Sequence, residues 1–276
     1  MKVSTEIGSI ERHVGQEKAV ELVAKAGFDA FDFSMFAMRY ADTPHPLNTS
    51  TSLAHARKLK QIATDNGIVC NQSHAPFPVW ETHVRSRLKD AIEFTAEAGG
   101  KICVIHPHNN INAEQNAEMY NELLPFAKSC GVKIATENMW GWDDKTDRAS
   151  FAACATAEDF NAHLDAVNDD YLVACLDLGH AEMMGEGTSA PQMIRALGSR
   201  LQALHIHDND KWHDSHQIPF SMQIDFDAIV KALKEVGYSG YLTLESDAYL
   251  KTYTPDNVFD GVKKLYESVD RLRKMF

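Results

Sequence analysis

The sequence has no apolar run long enough to cross a membrane. The longest, residues 171–176, holds six residues, against the ~18 or more that a spanning helix needs. No apolar core follows Met1, so the expectation is a cytoplasmic, unprocessed chain without a membrane partner. Positive charge is scarce. The 39 acidic residues outnumber 27 basic ones for a net charge of −12, which argues against a nucleic-acid partner because a phosphate backbone rewards clustered Lys and Arg. The five cysteines, at 70, 103, 130, 154 and 175, show no C-x-x-C spacing. They read as reduced thiols packed in a core, not as a disulfide framework or a zinc knuckle. No G-x-G-x-x-G follows the first strand-like segment, which disfavours a Rossmann domain. No linker rich in Pro, Gly or Ser divides the 276 residues, so residues 1–276 read as one domain.

What is present is an alternation of short apolar strands with amphipathic helices. Strands are expected over residues 3–7, 28–33, 68–73, 102–105, 132–136, 172–176, 204–207 and 241–244. Between them fall helical patterns ended by glycines that accept a left-handed backbone, as at Gly27, Gly67, Gly131 and Gly237. Asn112 with Gln115 forms a capping-box pattern, and Pro125 is expected to bend the helix that follows. Segment 138–155 carries no assignment. Eight strand–helix units in this length point to a closed (β/α)8 TIM barrel rather than an open sheet.

Polar residues fall systematically at the ends of the expected strands. His74, His106, Glu137, Asp177, His205 and Glu245 each close a different strand, and barrel strand ends converge on the face where active sites are built. His205 and His207 share one face of their strand, and burying two imidazoles is costly unless something binds them. Any one such residue could be a cap or a satisfied core group. Six of ligand type on successive strands indicate a divalent-cation site, with Mn2+ favoured and Co2+, Zn2+ or Mg2+ also suited to carboxylates and imidazoles. Phe77, Trp80, Trp140, Trp142 and Trp212 lie in loops on the same side, where they could wall a ligand pocket or cover an oligomer interface.

The motifs Ser73-His74-Ala75-Pro76, His106-Pro107, Thr136-Glu137-Asn138, Asp177-Leu178-Gly179-His180, His205-Ile206-His207-Asp208-Asn209 and Thr243-Leu244-Glu245 resemble the xylose-isomerase-like barrel superfamily. That superfamily contains sugar isomerases and epimerases, inosose dehydratases and type-IV apurinic endonucleases. The resemblance implies one divalent metal held by Glu137, Asp177, His205 and Glu245, with Glu137 and Glu245 also catalytic. It implies substrate contacts from His74, His106, His180, His207, Asp214 and His216, with Trp140 as an aromatic wall and Asp208 orienting His207. The expected activity is isomerisation or epimerisation of a ketose or related polyol through an enediolate. Dehydration of a keto-sugar is the alternative. The endonuclease pattern would instead make His74, His106, His180, Asp214 and His216 ligands of a three-metal cluster. Pro219-Phe220-Ser221-Met222-Gln223 stands where the family usually has glycines, so a different loop over the site is expected. A homo-oligomer is open.

Overall fold

The computed structural model describes residues 1–40, 43–185 and 187–276. Eight parallel strands form the barrel: β1 (Lys2–Glu6), β2 (Ala30–Ser34), β3 (Val69–His74), β4 (Ile102–Val104), β5 (Lys133–Glu137), β8 (Leu172–Asp177), β9 (Leu201–His205) and β10 (Tyr241–Leu244). β1 pairs with both β2 and β10. The remaining seam, between β9 and β10, closes through a single parallel bridge from Ile206 to Leu244. The expected (β/α)8 architecture is what forms.

Alternating side chains explain two separate cores. Phe31, Phe33, Ile134, Leu176, Leu204 and Leu244 point outward into a large apolar layer under the helices. Val104, Ala135, Val173, Cys175 and Ala203 point inward and form a small plug inside the barrel. Cys70, Cys103, Cys154 and Cys175 are buried free thiols, and Cys130 is half-buried.

The outer layer includes α2 (Gln16–Ala26), α3 (Ser52–Asp65), α5 (Leu88–Glu97), α6 (Ala113–Cys130), α7 (Ala157–Val167), α9 (Ala190–Leu197), α10 (Phe226–Glu235) and α11 (Val258–Arg273). Asn112 and Gln115 form the expected reciprocal cap on α6, and that helix continues through Pro125 to Cys130. Three shorter helices complete the layer: α1 (Gly8–Val14), α4 (Thr82–Arg85) and α8 (Leu178–Met183). Two of them are started by site residues: the Glu6 carboxylate accepts the N–H groups of Gly8 and Ser9, and Asp177 caps α8 through the N–H of His180. The unassigned segment holds an antiparallel hairpin, β6 (Trp140–Asp143) and β7 (Arg148–Phe151), standing over the barrel mouth.

At the start of α8 the backbone runs against the His207 ring, so a Cβ on Gly179 would lie inside the imidazole's van der Waals surface. In an ordinary helix Gly→Ala stabilises by about 0.5–1 kcal/mol. Here the sign should reverse: Gly179→Ala is expected to cost about 1–3 kcal/mol by overpacking, read as a lower urea midpoint with an unchanged slope.

Candidate active site

Each barrel strand delivers an acid or a histidine to one mouth. Glu6, His74, Glu137, Asp177 and His205 terminate their strands, His106 and Glu245 lie just beyond β4 and β10, and Asp32 sits within β2. Glu6 and Asp32 are the two that the sequence pattern did not single out, and both are fully buried. Bulges set the alignment. Between the partners of Ala174 and Cys175, β9 carries one extra residue, Gln202, and this places His205 opposite Asp177.

The donors form overlapping groups, each with its ligand-type atoms within 4.8 Å of one another, and three of them together contain every His, Asp and Glu involved. The central group is Glu137, Asp177, His205 and Glu245. His205 Nδ1 lies 2.7 Å from Glu137 Oε1 and 3.3 Å from Glu245 Oε2. A second group shares Glu137: its Oε2 is 3.1 Å from His106 Nε2 and 3.6 Å from His74 Nε2. The third comprises His180, His207, Asp214 and His216. There Asp214 approaches His216 Nε2 at 3.0 Å and the Nε2 atoms of His180 and His207 at 3.5 Å each.

Backbone carbonyls orient three of these imidazoles. The Nδ1–H groups of His74, His180 and His216 donate to the carbonyls of Ala75, Asn138 and Glu245 at 2.9, 2.9 and 2.6 Å. Each ring therefore turns its Nε2 toward the other donors, as a ligand must. Asn138 also grips the Asp177 backbone, accepting its N–H at 2.7 Å and donating to its carbonyl at 2.9 Å.

His207, expected as a substrate contact or as a partner behind the ligands, does not line the cavity. It lies wholly buried beneath the cavity, 3.1 Å from Asp177 and stacked on His216 with ring centres 4.0 Å apart. Asp208 does not orient it. Its oxygens accept the backbone N–H groups of Asn209, Met222 and Ile224 at 2.9, 2.8 and 3.0 Å. Asp208 thus fixes the glycine-free loop, in which Phe220 packs on Phe226 and under Arg271.

So many buried charges hold one another's protons. Burial alone would raise Glu137, but His205, His106 and His74 outweigh it and keep the carboxyl well below its usual range. Burial likewise opposes ionisation of Asp177, yet His180 and His207 hold it at about 2. Against burial, Asp177 and Asp214 lift His180 to about 10. Burial dominates at His106, which falls to about 4, and at Glu245, which is raised. Glu137 Oε2, Asp177 Oδ2, Asp214 Oδ1 and both His207 nitrogens are buried without a hydrogen-bond partner. Orphaned acceptors within these groups of carboxylates and imidazoles fit divalent-cation binding.

Above the donors lies a cavity of about 290 Å³. Glu137, Glu245, His74, His106, His180, Asp214 and His216 line its floor, and Phe77, Pro78, Trp80, Met139 and Trp140 its walls. Among the described residues, no Lys or Arg lines it. Trp142 and Trp212 are not part of it: Trp142 stacks on His213 and Arg148 covers Trp212, which ties the hairpin to the loop after β9.

A parallel eight-stranded barrel with carboxylates and imidazoles at its C-terminal mouth defines the class. Residues 20–275 match the xylose isomerase-like TIM barrel family, and the chain belongs to it. It is 27% identical to fructoselysine 3-epimerase of Escherichia coli O157:H7 over 129 residues, covering 47% of this chain and 44% of that one. It is 25% identical to an uncharacterized protein of Methanocaldococcus jannaschii over 185 residues, 64% of this chain and 58% of the relative. The chain therefore spans less than two thirds of either relative. Among solved structures, the zinc-bound IolI protein superposes with a TM-score of 0.76 at 20% identity, covering 100% of this chain and 99% of the other. The D-psicose 3-epimerase of Clostridium cellulolyticum H10, solved with D-tagatose, superposes with a TM-score of 0.71 at 19% identity over 100% and 99% of the two chains. These likenesses establish the barrel. No helix among the described residues is long and apolar enough to cross a membrane.

Glu6 yields a prediction independent of any reaction. Burial, then the charges of Asp247, Glu245 and Asp32, push its carboxyl from 4.5 to about 8. The folded chain retains this proton where the unfolded chain has lost it, so stability falls as pH rises through that window. In chelator-treated protein, Glu6→Gln should gain on the parent between about pH 5 and about pH 9, by up to roughly 5 kcal/mol. Urea unfolding across that range gives the difference.

Proposed function

We propose that the chain is a divalent-metal-dependent sugar isomerase or epimerase acting on a ketose or related polyol through an enediolate. The observation that carries this reading is the convergence of Glu137, Asp177, His205 and Glu245 to within 4.8 Å, with Glu137 and Glu245 also lining the cavity. These four residues would hold one ion, with Mn2+ the first choice and Co2+, Zn2+ or Mg2+ alternatives. Such an ion polarises a carbonyl and its neighbouring hydroxyl and so acidifies the adjacent C–H bond.

The chain's own groups move the proton. One glutamate removes it from the carbon beside the carbonyl, and the other returns a proton to the opposite face, which inverts that carbon. Return to the neighbouring carbon gives aldose–ketose isomerisation. Loss of a β-hydroxyl from the same enediolate gives dehydration, the alternative outcome on this site. His74, His106, His180, Asp214 and His216 face the cavity as hydroxyl partners, with His207 supporting them from below. Trp140, Phe77 and Trp80 offer apolar faces to sugar C–H groups and exclude water. The absence of Lys and Arg from the lining favours an unphosphorylated substrate.

Metal-loaded protein should exchange a substrate hydrogen with D2O when offered a panel of ketoses and inososes. Glu137→Gln and Glu245→Gln should each slow that exchange by about 10²–10⁴-fold at saturating metal. No exchange across the panel would rule out the reading. His205→Ala should lose the ion, whereas His207→Ala should retain it with reduced turnover, as metal analysis beside the exchange rate will tell.

The two flanking donor groups favour a second reading, a phosphodiesterase of the type-IV endonuclease kind with three ions. Elemental analysis separates the two: one ion per chain and no cleavage of abasic DNA is expected, and three ions with cleavage would reverse the assignment.

A further inference from the structure

We infer that Asp32 is a positioning residue that accepts the Nε2–H of His205 and thereby presents the opposite nitrogen, Nδ1, to the cation site. The inference rests on the metal-site reading above and concerns a residue that reading does not use. Asp32 is fully buried, and its Oδ2 lies 3.2 Å from His205 Nε2. On the other side of the same ring, Nδ1 faces Glu137 and Glu245 at 2.7 and 3.3 Å. An imidazole whose far nitrogen donates to a carboxylate is fixed in tautomer and angle and becomes a better ligand.

The backbone is arranged to deliver this contact. Along β3 the register with β2 shifts at Asn71, so Asp32 lies opposite Gln72 rather than one residue earlier. Gln72 Nε2 then donates to Asp32 Oδ2 at 2.9 Å. The amide of Gln72 is itself held, since its Oε1 accepts from Asn71 at 3.1 Å and from Thr243 at 3.3 Å. Asn71 in turn accepts the Ser4 hydroxyl at 2.6 Å. A chain of uncharged side chains crossing β1, β3 and β10 therefore supports one carboxylate, and that carboxylate supports one imidazole. Asp32 Oδ1 has no partner of its own, so local hydrogen bonding does not account for an ionisable group here. A neutral asparagine would keep both contacts of Oδ2.

The test is the affinity of the full chain for Zn2+ and Mn2+ by chelator competition, together with the ¹⁵N-histidine spectrum of the Zn2+-loaded protein. Asp32→Asn, which keeps the shape and loses the charge, should weaken binding about tenfold, and Asp32→Ala nearer a hundredfold. Gln72→Leu, which frees the carboxylate without touching His205, should fall between the parent and Asp32→Ala. His205, assigned by its absence in His205→Gln, should show a protected Nε2–H in the loaded parent that Asp32→Ala loses. Parental affinity in both Asp32 variants, or an Nδ1–H on metal-bound His205, overturns the inference while leaving the metal reading intact. The spectrum decides the matter in the parent even if Asp32→Ala fails to fold. A chain that takes up neither ion overturns both.

Discussion

A buried carboxylate survives only beside compensating positive charge or donated hydrogen bonds, and the barrel mouth gathers many of them. Glu6, Asp32, Glu137, Asp177 and Glu245 sit at or near neighbouring strand ends and are almost wholly withdrawn from water. Taking such a charge from water costs several kcal/mol, so each acid either meets donors or, like Glu6, keeps its proton. Glu6 takes its donors from the first turn of α1, Asp177 from the first turn of α8, and Glu137 Oε1 from His205, with His74 and His106 beside its other oxygen. Two of the short helices, α1 and α8, are consequences of this requirement. They begin where a carboxylate needs N–H groups, at a position fixed by the end of a strand rather than by an apolar stripe.

The same requirement explains what could be read without coordinates. His74, His106, Glu137, Asp177, His205 and Glu245 stood out because each interrupts an apolar run at its end, and the barrel rule converts that regularity into a shared location. Glu6 and Asp32 obey the same rule but are masked. Glu6 precedes Ile7-Gly8 in a stretch rich in Ser and Thr, and Asp32 lies between Phe31 and Phe33, three residues after another aspartate, Asp29. There, alternation alone reads as an ordinary one-faced strand. The bulges at Asn71 and Gln202 were equally invisible, because one extra residue in a parallel pair leaves no mark on composition. The hairpin over the mouth had a faint signal in the alternation of Trp140 and Trp142 around Gly141, followed by the Asp-rich turn.

His205 and His207 show how far parity can go. Two residues apart, they do share a face, yet they serve different groups because the strand ends between them. His205 is the last residue of β9 and is held between Asp32 and Glu137. Beyond the strand, His207 drops under His216 and touches Asp177. Asp208 then turns back to hold the following loop rather than its neighbour. Spacing assigned the face, but only the position of the strand end assigned the partner.

The shared Glu137 bears on which chemistry the mouth supports. Its two oxygens face different donor groups, Oε1 toward His205 and Oε2 toward His74 and His106. In a one-ion site the second oxygen remains available to a substrate proton, with the imidazoles of His74 and His106 beside it to meet hydroxyls. In a three-ion site both oxygens are consumed as ligands, and a substrate must bring negative charge to balance the added cations. A phosphodiester would approach through a mouth walled by Phe77, Trp80, Met139 and Trp140, in a chain of net charge −12. Among the described residues, no guanidinium or ammonium on that wall meets its remaining oxygens. A neutral polyol faces no such mismatch: its hydroxyls meet the polar floor and its C–H faces meet the rings. The balance of charge at the mouth, more than the identity of any one ligand, therefore favours proton transfer on a sugar.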